Sequence, residues 1–406
     1  MPHGTAAATI LTMATVSSSL LGHSRRPAWR AAAAGGVHRI RRLALRAGVP
    51  KPCISLRSRS PRRLTRQTRV SSRPFSTLDN QILDGKSLAA GIRAEVAEEV
   101  TSLLDNTGVV PGLAVILVGD RPDSRTYVKF KKRAAAEVGI ESFQRILNQN
   151  VTNEEVREAI AQFNADPRVH GILVQLPLPR HLDTDTILQM IPPEKDVDGF
   201  HARNVGDLWL NTRNIAHGDS KHVKPLVLPC TAAGVMYMLL GLNVNLSGKE
   251  AVVLGRSRIV GMPVAGLLQG LDCTVTMVHS RTKNPEDHIK RADIVIAAIG
   301  IPEYVKGDWI KPGAIVIDVG INQKPDPSSE KGYQLTGDVD FEGARMVAGA
   351  ITPVPGGVGP MTVAMLLRNT LNLARYSLGL RPLPLARRRL SSNSEFQQTP
   401  AATSRE

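Results

Sequence analysis

Ala251-Val252-Val253-Leu254-Gly255-Arg256-Ser257-Arg258-Ile259-Val260-Gly261-Met262-Pro263 reads as a buried strand, a tight turn and the start of a helix. Four aliphatic residues stop at a glycine. Small residues at 255, 257 and 261 let the backbone come close to a ligand. The N–H groups of a helix that begins there suit a pyrophosphate. The pattern is Gly-x-Ser-x-x-x-Gly rather than Gly-x-Gly-x-x-Gly, so spacing alone leaves an ordinary strand–helix turn open. Three more strands follow, at Thr274–His279, Asp293–Gly300 and Ala314–Gly320, with helices fitting between them. That series favours a dinucleotide site.

Ser280 and Arg281 close the next strand, where an NAD enzyme usually carries Asp or Glu to hold the ribose 2′-hydroxyl. A hydroxyl and a guanidinium there, with Arg256 at the turn, suit a 2′-phosphate instead. Gly255, Arg256, Ser257 and Ser280, with Arg281 as a helper, are the expected cofactor residues, and NADP is the expected cofactor.

Upstream lies another alternating series. Lys86–Leu104, Ser124–Val138, Asn153–Ala165 and Thr184–Met190 read as helices, the second capped by Asp123 or Ser124 and stopped at Gly139. Leu113–Gly119 and Val169–Leu176 read as strands. Residues 206–229 read as irregular, and Thr362–Tyr376 as a last helix. The fold class is therefore α/β in two domains. Two such units in series imply a cleft, with ligands at the carboxyl ends of the strands.

Of 406 residues, 51 are Lys or Arg and 36 are Asp or Glu. Residues 1–78 hold 14 Arg and Lys51 but no acid, which leaves the remainder formally neutral. The excess thus belongs to a leader, and a nucleic-acid-binding domain is not expected. An Arg-, Ser- and Ala-rich, acid-free leader without a long apolar run reads as a transit peptide over residues 1–75. A mitochondrion is the expected destination and a plastid the alternative. No run of 18 apolar residues exists, so no membrane span is expected. Cys230 and Cys273 are too few for a disulfide framework or a zinc site, and no metal is expected. Residues 379–406, with Arg387-Arg388-Arg389, read as a disordered tail.

Tyr127 and Lys131 stand four apart, on one helix face. A lysine on a partly buried face has a depressed pKa and can act as a base or donate to a reacting water. Taken alone, such a pair is usually a surface pair. Its company is informative: Gly171-Ile172-Leu173-Val174-Gln175-Leu176-Pro177-Leu178-Pro179, Glu194-Lys195-Asp196-Val197-Asp198-Gly199-Phe200, the Gly255–Pro263 turn, and Thr352-Pro353-Val354-Pro355-Gly356-Gly357-Val358-Gly359-Pro360-Met361-Thr362 follow in order. This set, from about Ile82 to Arg375, closely resembles the FolD family of bifunctional methylenetetrahydrofolate dehydrogenase/methenyltetrahydrofolate cyclohydrolases, in an organellar plant-type form.

The resemblance implies a folate domain over 80–231, rejoined by 353–378, and a Rossmann NADP domain over 232–352. It implies NADP-dependent oxidation of 5,10-methylenetetrahydrofolate, hydrolysis of the product to 10-formyltetrahydrofolate, tetrahydrofolate derivatives as ligands, and a homodimer. It makes Tyr127, Lys131, Gln175 and Asp198 the catalytic set: Tyr127 stacks on folate, Lys131 serves the cyclohydrolase, Gln175 tunes Lys131, and Asp198 binds the pterin edge. Val174, Leu176, Pro355, Gly356, Gly357 and Gly359 would line the folate pocket, and Ile321 would touch the cofactor. Two departures stand out: Ala232 where the family commonly has proline, and an unusually long stretch over 208–224. Another two-domain dehydrogenase, of the amino-acid or shikimate type, would not explain Gln175 and the Pro-Gly-Gly loop together.

Overall fold

A computed structural model describes residues 78, 80–216, 227–329 and 332–385. The leader and the triple arginine fall outside the described residues.

The chain opens with a short strand, β1 (Gln81–Ile82), then α1 (Gly85–Thr107), β2 (Gly112–Val118), α2 (Pro122–Glu137), β3 (Glu141–Leu147), α3 (Asn153–Ala165), β4 (Gly171–Val174) and α4 (Thr184–Gln189). Strands β3, β2 and β4 form a parallel sheet in that order. Every residue of β2 is buried, as expected when helices cover both faces. Leu113, Val115 and Leu117 join the core under α1 and α2, whereas Ala114, Ile116 and Val118 pack with Val156 and Ile160 of α3. The period of two thus divides one aliphatic run between two cores.

Helix α5 (Ala202–Ala216) and α6 (Cys230–Gly241) lead to the second sheet. It contains β5 (Glu250–Leu254), β6 (Thr274–Val278), β7 (Ile294–Ala297), β8 (Ile315–Asp318) and β11 (Ala350–Ile351). Helices α7 (Gly261–Gly270), α8 (Pro285–Ile289) and α9 (Phe341–Arg345) lie between strands, and β9 (Asn322–Pro325) pairs with β10 (Tyr333–Thr336) as a hairpin. The six-stranded order is β1-β11-β8-β7-β5-β6, all parallel. The final helix, α10 (Val358–Ser377), packs against α1, α2 and α6.

Four expectations are corrected. Helix α2 begins at Pro122, with Arg121 at its N-cap, not Asp123 or Ser124; proline at the first helical position already supplies a helical φ. The second strand is only Gly171–Val174; the Gln175 amide makes one more bond to β2, and Pro177 and Pro179 then offer no N–H to continue the ladder. Residues 206–216 are helical, not irregular: α5 runs to Ala216 with one non-helical residue, Asn211. It gains its stability from α7, where Gly266 admits the Trp209 ring and Gly270 meets the Thr212 carbonyl. Residues 217–226 lie outside the described part. Finally, residues 379–385 are docked rather than disordered. Leu380, Leu383 and Leu385 pack on the core. The Leu383 amide donates to Asn372 Oδ1 at 2.8 Å, and Arg375 donates to the Arg381 carbonyl at 2.9 Å.

Candidate active site

Helix α2 carries Tyr127 and Lys131 one turn apart. Lys131 is half-buried, with its ammonium end enclosed. Its Nζ donates to Gln175 Oε1 at 2.9 Å, while Gln175 Nε2 donates to the Leu176 carbonyl at 2.8 Å. Both ends of the Gln175 amide are thus engaged, and its oxygen faces the lysine. Gln175 sits where β4 ends, tied to β2 by its backbone N–H to the Ile116 carbonyl.

Asp198 completes the cluster from the loop after α4. The neighbouring carboxylate of Asp196 is buried and holds that loop, accepting from the Gly199 amide at 3.0 Å, the His201 amide at 2.8 Å and Asn204 Nδ2 at 3.0 Å. From α10, Asn369 Nδ2 donates to the carbonyls of Val197 (2.8 Å) and Leu228 (2.9 Å). The Cys230 thiol reaches the Val197 carbonyl at 3.4 Å and Asp198 Oδ1 at 3.8 Å.

Electrostatics follow from enclosure. Burial lowers the Lys131 pKa, and the Asp198 charge opposes that shift. Burial raises Asp198 to about 6; Lys131 opposes this, and Asp196 adds to it. The pair therefore titrates closer to neutrality than either group would in water, as proton chemistry near pH 7 requires. Burial also pushes the Cys230 thiol well up, with the Asp198 charge adding to it. That thiol stays protonated and serves as a donor rather than a nucleophile.

Tyr127 is exposed at 38% and lies one turn before Lys131 on α2. Val174 is buried and Leu176 half-buried beside Gln175. The Pro355–Gly359 loop lies against the start of α1: the Lys86 amide donates to the Gly356 carbonyl at 3.1 Å. A Cβ on Gly85 would run into the Gly357 carbonyl. Gly356 has φ 114, a conformation that requires glycine. A Cβ on Gly359 would lie 3.6 Å from Ile321 Cδ1, so Ile321 borders this loop.

The glycine turn stands on the other sheet. Gly255 has φ 107, and a Cβ there would strike the Ala298 carbonyl; one on Gly261 would strike the Gly255 carbonyl. The turn has no room for side chains at those positions. Ser257 Oγ accepts from the amides of Val260 (3.1 Å) and Gly261 (3.3 Å), capping α7. Arg256 is exposed at the end of β5, and Ser280 and Arg281 are exposed beyond the adjacent end of β6. This glycine-walled turn with two exposed guanidinium groups beside it, Arg256 and Arg281, fits a phosphorylated dinucleotide.

Cys230, Asn369 and Asp196 escaped the sequence reading as site residues. A usable signal was the polar run Arg368-Asn369-Thr370, with Asn372, inside an otherwise apolar helix: all four are buried, and buried polar groups have partners.

Two family models match the chain. The tetrahydrofolate dehydrogenase/cyclohydrolase catalytic domain matches residues 83–198, and the NAD(P)-binding domain of the same enzymes matches residues 229–378. The chain belongs to the tetrahydrofolate dehydrogenase/cyclohydrolase family. Curated relatives agree. The chain is 54% identical over 299 residues to bifunctional protein FolD 2 of Arabidopsis thaliana, covering 74% of this chain and 97% of the relative. It is 52% identical over 315 residues to the chloroplastic bifunctional protein FolD 4 of the same plant, covering 76% and 85%. Among solved structures, the Trypanosoma brucei FolD complexed with NADP and an inhibitor superposes with TM-score 0.69 at 46% identity, covering 73% of this chain and 98% of that one. The unusual 208–224 stretch falls between the two family models.

Proposed function

We propose that the chain is a bifunctional one-carbon folate enzyme. It oxidises 5,10-methylenetetrahydrofolate to 5,10-methenyltetrahydrofolate with NADP, then hydrolyses the product to 10-formyltetrahydrofolate. The observation that carries this reading is the enclosed Lys131–Gln175–Asp198 cluster in one lobe beside a glycine cradle in the other.

The residues divide the work as follows. Asp198 pairs with N–H donors on the pterin edge, and Tyr127 stacks on the folate. The Pro355–Gly359 loop, with Val174 and Leu176, shapes the pocket. The Gly255–Ser257 turn would hold NADP, with Arg256 and Ser280 toward its 2′-phosphate and Ile321 alongside, and the cofactor would supply the hydride acceptor for the methylene carbon. The two flanking nitrogens of the substrate push that hydride out, so this step needs alignment rather than an acid or base. Hydration of the resulting cation does need proton handling. Lys131 Nζ takes that part, and Gln175 keeps it aimed. A spectrophotometric assay with methylenetetrahydrofolate and NADP tests the whole reading; no turnover of either step would end it.

The NADP assignment has its own test. A lost charge-assisted contact costs about 1.5–3 kcal/mol, or roughly 10- to 150-fold in affinity. Arg256→Ala is expected to raise the KM for NADP by that factor while sparing the KM for NAD. Equal changes for both cofactors would remove Arg256 from phosphate recognition.

We assign residues 83–231 with 353–378 to the folate lobe, which the packing of α10 on α1 supports, and 232–352 to the NADP lobe; Gln81–Ile82, expected with the folate lobe, goes with the NADP lobe because it pairs with β11. A homodimer is the proposed assembly, in keeping with the family resemblance and with Leu210, 84% exposed beside Trp209 on α5. The acid-free leader is assigned to organelle import. Fused to a fluorescent reporter, residues 1–80 are expected to direct it to mitochondria; delivery to plastids, the compartment of the FolD 4 relative, would transfer the assignment. A cytosolic reporter would end it.

A further inference from the structure

Two carboxylates deep in the second lobe, Asp318 and Asp338, are 3% and 0% exposed and belong to none of the roles above. Asp338 Oδ2 accepts from the amides of Ile299 (2.7 Å) and Gly300 (2.9 Å), and its Oδ1 accepts from Asn322 Nδ2 (2.9 Å). Asp318 holds Asp338 in turn: its Oδ1 accepts from the Gly320 and Asp338 amides at 2.9 and 3.0 Å, and its Oδ2 from the Val339 amide at 2.9 Å. Thr352 Oγ1 accepts from the Asp318 amide at 2.7 Å.

These contacts sit where ligands of a parallel sheet bind, at the carboxyl ends of its strands. Ile299 and Gly300 follow β7, and the carbonyl of Ala298, one residue before, walls the Gly255 turn. Asn322 follows β8, and its neighbour Ile321 borders Gly359 of the folate loop. One carboxylate therefore joins the wall of the cofactor cradle to the segment that meets the folate loop. A Cβ on Gly320 would run into Asp338, and one on Gly337 into Asp318, so the segments interlock without slack.

We infer that Asp338 is a positioning residue for hydride transfer, setting the cofactor cradle against the folate loop, with Asn322 as its partner. The inference rests on the NADP-dependent dehydrogenase reading. It concerns the first reaction, because among the described residues the Asp338 carboxylate accepts from Ile299, Gly300 and Asn322 and from none of Lys131, Gln175 or Asp198.

Asp338→Asn keeps the shape but places an NH2 group against either the Ile299 and Gly300 amides or the Asn322 amide. Misplacement by about 1 Å costs on the order of 100-fold in rate. The dehydrogenase kcat is expected to fall roughly 10- to 100-fold, with a larger primary isotope effect from deuterated methylenetetrahydrofolate. Cyclohydrolase activity on methenyltetrahydrofolate, assayed without cofactor, is expected to stay at parent level. NADP affinity by calorimetry should change little, because Arg256 and Ser257 are untouched. In the cofactor-free enzyme, hydrogen exchange at Ile299 and Gly300 should quicken. Asn322→Ala, a milder change, is expected to give the same split and decides the matter if Asp338→Asn does not fold. Parallel loss of both activities, or unchanged kcat and isotope effect, overturns the inference. Failure of the parent enzyme to oxidise methylenetetrahydrofolate with NADP would instead overturn the functional reading beneath it.

Discussion

Lys131→Met is expected to lower cyclohydrolase activity by roughly 10²–10⁴-fold, the usual contribution of a positioned acid or base, and to let methenyltetrahydrofolate accumulate. Dehydrogenase turnover should persist at a measurable level, because the substrate's nitrogens and the cofactor cradle are intact. The electrostatics add a second readout. Asp198 titrates near 6, and the Lys131 charge holds it from going higher. In the parent enzyme, kcat/KM for the folate should therefore decline below about pH 6, as the carboxylate proposed to receive the pterin N–H groups becomes protonated. Without Lys131 that restraint is gone, and the acid limb of the dehydrogenase profile should move to higher pH. Hydrolysis of methenyltetrahydrofolate at the parent rate, or an unmoved acid limb, would remove Lys131 from the assigned role.

Gly85→Ala should be almost as damaging, though the residue has none of the roles assigned above. At an open helical position, replacing glycine with alanine is worth about 1 kcal/mol of added stability. Here a Cβ would run into the Gly357 carbonyl, and the backbone of a tight loop cannot rotate aside as a side chain can. Overpacking of this kind costs about 1–3 kcal/mol, which reverses the sign. The displaced Pro-Gly-Gly loop borders both the folate pocket and Ile321. Both activities are expected to fall by on the order of 100-fold, with a lower Tm. A variant with higher Tm and full activity would show that the loop does not depend on its seat against α1.

The readable and unreadable parts of the chain differ in where their stability comes from. Strands β2, β5, β7 and β8 are continuous aliphatic runs because helices cover both faces, so composition alone reveals them. Strand β3, Glu-Ser-Phe-Gln-Arg-Ile-Leu, was not anticipated: it is an edge strand, mostly exposed or half-buried, and carries no clean alternation. Helix α5 hides its amphipathic face among Asn, Gly and Arg, and it depends on glycines in α7 some sixty residues away. The Lys131, Gln175 and Asp198 positions were legible only as a set, since each has a bland reading alone. What local pattern cannot show is the shell that holds them. Asn369 reaches the Asp198 loop across 172 residues, and Asp318 reads locally as the end of a strand, with no sign of the amides it holds. Leu380, Leu383 and Leu385 were lost among prolines and arginines that read as a tail.

The path of the chain bears on how such an enzyme can be inherited. Gln81–Ile82, before the folate lobe begins, is a strand of the cofactor sheet, and α10, after that sheet is complete, is a wall of the folate lobe. Each lobe borrows a piece from the other's end of the sequence. A gene cut between residues 198 and 229 would encode one fragment without its capping helix and another without its edge strand. Neither half is a portable cassette. The two reactions are thus stitched into one heritable unit by backbone topology, before any advantage of carrying out both on one bound folate is considered.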